Sequence, residues 1–102
     1  MHLALIINKV SPKLYPSLNG GREVMQAIVY IRTAPGKALA LLEQMKGIEG
    51  VKFAAATTGR FDIVARIEAA DLEALGETVV NKIQGLEGVR YTETSAIVAR
   101  GV

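Results

Sequence analysis

The sequence predicts an α+β domain: two strand–helix–strand units in tandem, forming a four-stranded antiparallel sheet with two helices on one face. Three observations predict it. Gly47-Ile48-Glu49-Gly50-Val51-Lys52-Phe53 returns almost unchanged as Gly85-Leu86-Glu87-Gly88-Val89-Arg90-Tyr91. Each copy follows a stretch with apolar residues at three- and four-residue spacing and opens a run of strand-forming residues. Before each helix lies another strand-like run, 24–32 and 61–68. The order βαββαβ is the ferredoxin-like arrangement.

The first strand, Val24 to Arg32, is apolar on both sides, with Met25, Ala27, Val29 and Ile31 on one and Val24, Ile28 and Tyr30 on the other. Two helices cover one face of such a sheet, so the second apolar face calls for a partner, most simply another copy packed sheet to sheet. Thr33 is placed to cap the first helix and Pro35 to occupy its first turn. Ala38, Leu39, Leu41, Leu42 and Met45 form its buried stripe, and Gly47 ends it. In the second strand Val51, Phe53, Ala55 and Thr57 alternate with Lys52, Ala54, Ala56 and Thr58. Phe61, Ile63, Ala65 and Ile67 share a face of the third, with Asp62 on the other. Asp71 caps the second helix, Lys82 sits near its end, Leu72, Leu75, Val79, Val80 and Ile83 are its buried side, and Gly85 stops it. The last strand is expected over 89–99, with a polar middle at Thr92, Glu93, Thr94 and Ser95.

The 102 residues suffice for one core, built from aliphatic side chains because tryptophan is absent and aromatic residues are few. Without cysteine there are no disulfides, and oligomerisation is the means left to reinforce a small fold. Setting aside Lys9, Lys13, Arg22 and Glu23 from the 12 basic and 10 acidic residues leaves nine of each from residue 24 onward. That neutral balance lacks the basic stripe of a duplex-binding surface, so direct nucleic-acid binding is not expected. Leu3 to Ile7 is far short of the roughly 20 residues that span a bilayer. It also lacks the features of an export signal, so a cytoplasmic protein with no membrane partner is expected. Pro12, Pro16, Asn19, Gly20 and Gly21 break any periodicity, which makes 1–23 an extension or leader without regular structure, or else an arm reaching a neighbouring subunit, and 24–102 the domain.

Catalytic chemistry has little to work with. His2 is the sole histidine, no metal-ligand spacing occurs, and no cofactor motif is present. Thr58-Gly59-Arg60-Phe61-Asp62 is different, because it gathers a carboxylate, a guanidinium and backbone amides in one turn. A free amino acid needs both an acceptor for its ammonium and donors for its carboxylate, and this turn supplies them. The plainer reading is that Asp62 caps the turn and Arg60 is solvated.

Three segments together resemble a known family: Ala27-Ile28-Val29-Tyr30-Ile31, Thr58-Gly59-Arg60-Phe61-Asp62 running into Ile63-Val64-Ala65-Arg66-Ile67, and Gly88-Val89-Arg90-Tyr91-Thr92-Glu93-Thr94. From 24 to 102 the chain is similar to the effector-binding (RAM) domain of the Lrp/AsnC, or feast/famine, transcription regulators. The resemblance implies a domain that dimerises through its sheets, with dimers assembling into an octamer-like ring and an amino acid or related metabolite bound between them. It implies that Asp62 meets the ligand ammonium, that backbone around Thr58 and Gly59 approaches the carboxylate, and that Thr92 and Thr94 offer hydroxyls. Arg60 falls at a variable position of the motif. Full-length members carry a helix-turn-helix ahead of this domain, so the expectation is a stand-alone form that senses a metabolite alone or co-assembles with full-length relatives. Other readings are a purely structural assembly domain and a small dimeric ferredoxin-like enzyme. An ACT-type amino-acid module is a further alternative, whose ligand loop would fall near Ala34 to Lys37.

Overall fold

A computed structural model describes residues 24–101. The expectations for residues 1–23 lie outside them. The elements run β1 (Met25–Thr33), α1 (Ala38–Met45), β2 (Val51–Ala56), β3 (Ile63–Ala69), α2 (Leu72–Glu77) and β4 (Val89–Ala96). The predicted βαββαβ order is therefore the observed one. All neighbours in the sheet are antiparallel, in the order β2-β3-β1-β4, so the first strands of the two units lie side by side at its centre.

Alternation decides which face is buried. Ala27, Val29 and Ile31 of β1 and Ile63, Ala65 and Ile67 of β3 are fully buried against Leu41, Met45, Leu75, Val79 and Ile83 of the helical layer. Burying each large aliphatic side chain is worth about 1.5–3 kcal/mol. The opposite face carries Tyr30, Phe53, Phe61, Tyr91 and a polar group in which Gln26 and Arg66 both donate to Glu68 Oε2, at 3.3 and 3.1 Å.

The two units resemble each other beyond their sequence. Each has a register shift just after its Gly-Val pair, between Val51 and Phe53 in one and opposite Arg32/Thr33 in the other, where Thr33 pairs with Val89 and Arg32 with Tyr91. Lys52 and Arg90 are the extra residues of these bulges. The shift turns Val51 toward the helices, opposite Ile67, while Phe53 faces the other way, opposite Arg66; simple alternation had grouped them. The second glycine of each repeat, not the first, takes the left-handed conformation, with φ of +98° at Gly50 and +99° at Gly88. The Gly50 carbonyl accepts from Glu68 N–H at 2.8 Å and the Gly88 carbonyl from Ala34 N–H at 2.7 Å.

Several local expectations change. Helix α1 starts at Ala38 with Lys37 at its N-cap and no side-chain cap, because Ala34 to Lys37 form a turn closed by Lys37 N–H to Ala34 O at 3.1 Å. Thr33 is the last residue of β1, not a cap, and its N–H and hydroxyl are taken by a carboxylate described below. Leu39 lies 71% exposed outside the buried stripe. Asp71 does cap α2, accepting from Ala74 N–H at 2.8 Å. That helix then widens into a π-helical segment, Thr78–Ile83, in which Gln84 N–H reaches back five residues to Val79 O at 2.9 Å. Within the wider turn Val79 and Ile83 face the core and Val80 is 55% exposed. Phe61 leaves the alternation of β3, its ring lying among the aromatics of the open face. Strand β4 ends at Ala96.

Gly50→Ala is expected to lower stability, since a Cβ there would stand 3.0 Å from Glu68 O and the left-handed backbone itself costs about 1–2 kcal/mol. Gly76→Ala, inside α2 with nothing within 4 Å of the new methyl, is expected to gain about 0.5–1 kcal/mol. Denaturant unfolding of both variants checks the opposite signs.

Candidate functional site

Asp62 enters the sheet at the end of the β2–β3 hairpin, where backbone bonds hold it from two sides. Its N–H donates to Ile31 O at 2.8 Å and its carbonyl accepts from Thr57 N–H at 2.9 Å. The Thr57 hydroxyl donates to Phe61 O at 3.0 Å, which closes the hairpin below the exposed tip of Thr58, Gly59 and Arg60. With its backbone fixed, the Asp62 side chain reaches the end of β1. There its Oδ2 accepts from Thr33 N–H at 2.8 Å and from the Thr33 hydroxyl at 3.3 Å. The other carboxylate oxygen, Oδ1, carries no hydrogen bond to the described residues.

Asp62 walls a cleft of about 400 Å³ with Thr33, Ala34, Pro35, Gly36, Ala38 and Leu39. The loop at 34–37 and the polar turn at 58–62 are separate candidates in the sequence, and they meet here. Ala38 and Leu39, the first residues of α1, line the same cleft, and the opening amides of a helix have no intrahelical acceptor. Asp62 is the single ionisable residue among those seven. The cleft thus sets an anionic oxygen near the positive end of a helix dipole, a pairing suited to a small zwitterion.

The remaining site candidates lie elsewhere within the chain. Arg60 turns to the open face, its guanidinium 5.6 Å from the Phe61 ring centroid, and Arg32 approaches the same ring at 5.5 Å. Phe61 also meets Tyr30 at 5.3 Å and stacks with Tyr91 at 6.3 Å. Thr92 and Thr94 stand opposite Ile31 and Val29, on the helix side of edge strand β4. The Thr92 hydroxyl accepts from Gln84 Nε2 at 2.7 Å. No hydrogen bond joins either threonine to Asp62. Thr33, Leu39 and Gln84 are the partners that sequence reasoning did not assign to a site. The signal for the first two was the Pro35-Gly36 dipeptide, which marks a turn rather than a helix start. Gln84 gave none.

Among the described residues no three His, Cys, Asp or Glu side chains could jointly hold a metal ion, and no helix is long and apolar enough to cross a membrane.

Comparison with known proteins converges on one family. The family model described as the Lrp/AsnC ligand binding domain matches residues 26–100. An HTH-type transcriptional regulator of Pyrococcus furiosus is 34% identical over 83 residues, covering 78% of this chain and 53% of that protein. A crystal structure from Thermus thermophilus superposes with a TM-score of 0.69 at 34% identity, covering 72% of this chain and 91% of that one. A transcriptional regulator of Neisseria meningitidis, solved as a complex with L-Met, shares the fold at 19% identity with a TM-score of 0.66, over 72% of this chain and 49% of that one. The chain spans 53% to 61% of the length of the curated relatives it matches. With its central β1–β3 pairing, its doubled turn and this match over most of its length, the chain belongs to the Lrp/AsnC family of transcription regulators, to whose ligand-binding domain it corresponds.

Proposed function

We propose that this domain binds a free α-amino acid, or a metabolite carrying the same ammonium and carboxylate groups, and that occupancy modulates the assembly of a transcription regulator. The observation that carries it is the half-used Asp62 carboxylate, fixed by Thr33 through Oδ2 while Oδ1 remains available at the wall of the cleft. The ligand ammonium sits on that oxygen, and its carboxylate takes the free amides at the start of α1. The Neisseria protein, solved with L-Met, lends the same ligand class indirect support. Thr58, Gly59, Arg60, Thr92 and Thr94 do not reach this cleft within one chain, so any part they take requires a neighbouring subunit.

A second copy is the partner for the open sheet face. Phe53 and Tyr91 are 54% and 52% exposed there, beside Tyr30 and Phe61. Two such faces packed together form a dimer, which assembles further into a ring alone or with full-length relatives. The protein therefore acts as a sensor and assembly module in the cytoplasm, not as an enzyme.

Thermal unfolding against the twenty amino acids tests the ligand. A ligand present at a hundred times its dissociation constant adds about 2.7 kcal/mol, a rise of several degrees for a domain this small. Asp62→Ala is expected to abolish the response, whereas Thr33→Val, which keeps the carboxylate and loses one bond to it, retains most of it. A flat scan of the native protein counts against amino-acid binding. Light scattering tests the dimer: Phe53→Asp with Tyr91→Asp is expected to yield monomers, and an unchanged mass would place the interface elsewhere.

A further inference from the structure

We propose that a second cleft, at the far end of the sheet from Asp62, binds a small phosphorylated polyol of the sugar phosphate class. It lies where β1 begins and β3 ends: Ala69, the partner of Met25, lines it, whereas Ile63, beside Asp62, is the partner of Ile31. The six residues of β3 between these pairs set the two sites roughly 20 Å apart. The cleft measures about 510 Å³, and its polar wall is Glu49, Lys52, Glu68, Glu77, Thr78 and Lys82. Glycine, alanine and Val24 make up the rest, with no broad apolar or aromatic surface. A nucleobase or an acyl chain has nothing to lie on there, so the occupant is polar.

Two phase shifts of the fold supply the donors. Lys52 is the extra residue of the bulge in β2, and Thr78 and Lys82 belong to the π-helical segment. Insertions of both kinds recur beside functional sites, where they re-aim side chains. Thr78 is only 9% exposed, yet its hydroxyl makes no hydrogen bond to the described residues. A buried polar group without a partner is costly, and a ligand in the cleft satisfies it. Neither Lys52 nor Lys82 forms an ion pair with the described residues, although three carboxylates line the same cleft. Glu68 is held by Arg66 at 3.1 Å, which leaves Glu49 and Glu77 unpaired. Two free ammonium groups and one hydroxyl match the charge and the three acceptor oxygens of a phosphate monoester. A single carboxylate would leave one lysine unmatched. Glu49 and Glu77 only accept hydrogen bonds when ionised, so the remainder of the ligand carries hydroxyls that donate to them.

The test is titration calorimetry of the 102-residue protein, in a buffer without phosphate, with D-glucose 6-phosphate, D-ribose 5-phosphate, D-glucose and inorganic phosphate. At least one sugar phosphate is expected to bind about tenfold or more tightly than either free glucose or inorganic phosphate. Lys52→Met and Lys82→Met, both at exposed positions, should each weaken it about fivefold or more, and Thr78→Val about threefold. Neither lysine lines the Asp62 cleft, so any thermal shift produced there by an amino acid persists in both variants, and the two sites stand or fall separately. Failure of both sugar phosphates to bind overturns the proposal, as does inorganic phosphate binding equally well. Binding that both lysine variants retain in full places the ligand elsewhere and overturns it too.

Discussion

The pairing of β1 with β3 is the constraint on which the rest of the molecule depends. Seven residue pairs, from Met25 with Ala69 to Ile31 with Ile63, join the two strands. On the helix side small residues meet larger ones, Ala27 opposite Ile67 and Val29 opposite Ala65, and all four are fully buried. Because side chains alternate, a slip of one residue would send this whole set to the open face and bring Arg66 and Glu68 under the helices. The core therefore fixes the register, and the register fixes where β3 begins.

The position of Asp62 is a product of that register. Its N–H pairs with Ile31 O, which sets its carboxylate beside Thr33 N–H, 29 residues earlier in the chain. A hydrogen bond to a charged group is worth about 1.5–3 kcal/mol, enough to draw Thr33 away from a capping role. Helix α1 then begins only at Ala38, past the intervening turn, and the space between strand end and helix becomes the cleft. Phe61, one residue before Asp62, lies against Tyr30 and Tyr91 on the opposite face of the sheet. A two-residue stretch thus joins the cleft wall to the surface proposed to meet a second copy.

What could be read from the sequence is what depends on periodicity. The doubled Gly-x-x-Gly turn, the two apolar stripes and the alternation in β1 specify the βαββαβ order, and Asp71 specifies its own helix start. Periodicity misleads where one residue is added to a regular element. Lys52 and Arg90 in the strands and the π-helical segment after α2 each shift the phase of the residues beyond them, and no local residue announces the shift. The site divides along the same line. Asp62 stood out as a carboxylate in a tight turn, whereas its tie to Thr33 is a long-range bond that local capping preference conceals. Leu39 looked like core because it sits beside core residues in a short helix, and only the three-dimensional arrangement leaves it outside.

The crossed glycine bonds bear on how the domain forms. The turn after the first helix is tied off by Glu68 of the second unit, and the turn after the second helix by Ala34 of the first. Each turn has bonds of its own, from Val51 N–H to Ile48 O and from Val89 N–H to Leu86 O, but its second glycine is anchored by the other unit, and the first strands pair with each other rather than within a unit. The repeat is therefore not a pair of independent folding modules. Native structure in one half has to await the other, which couples both into a single cooperative transition. That transition carries the loop-closure entropy of distant segments, so folding is slower than in a helical bundle of equal length.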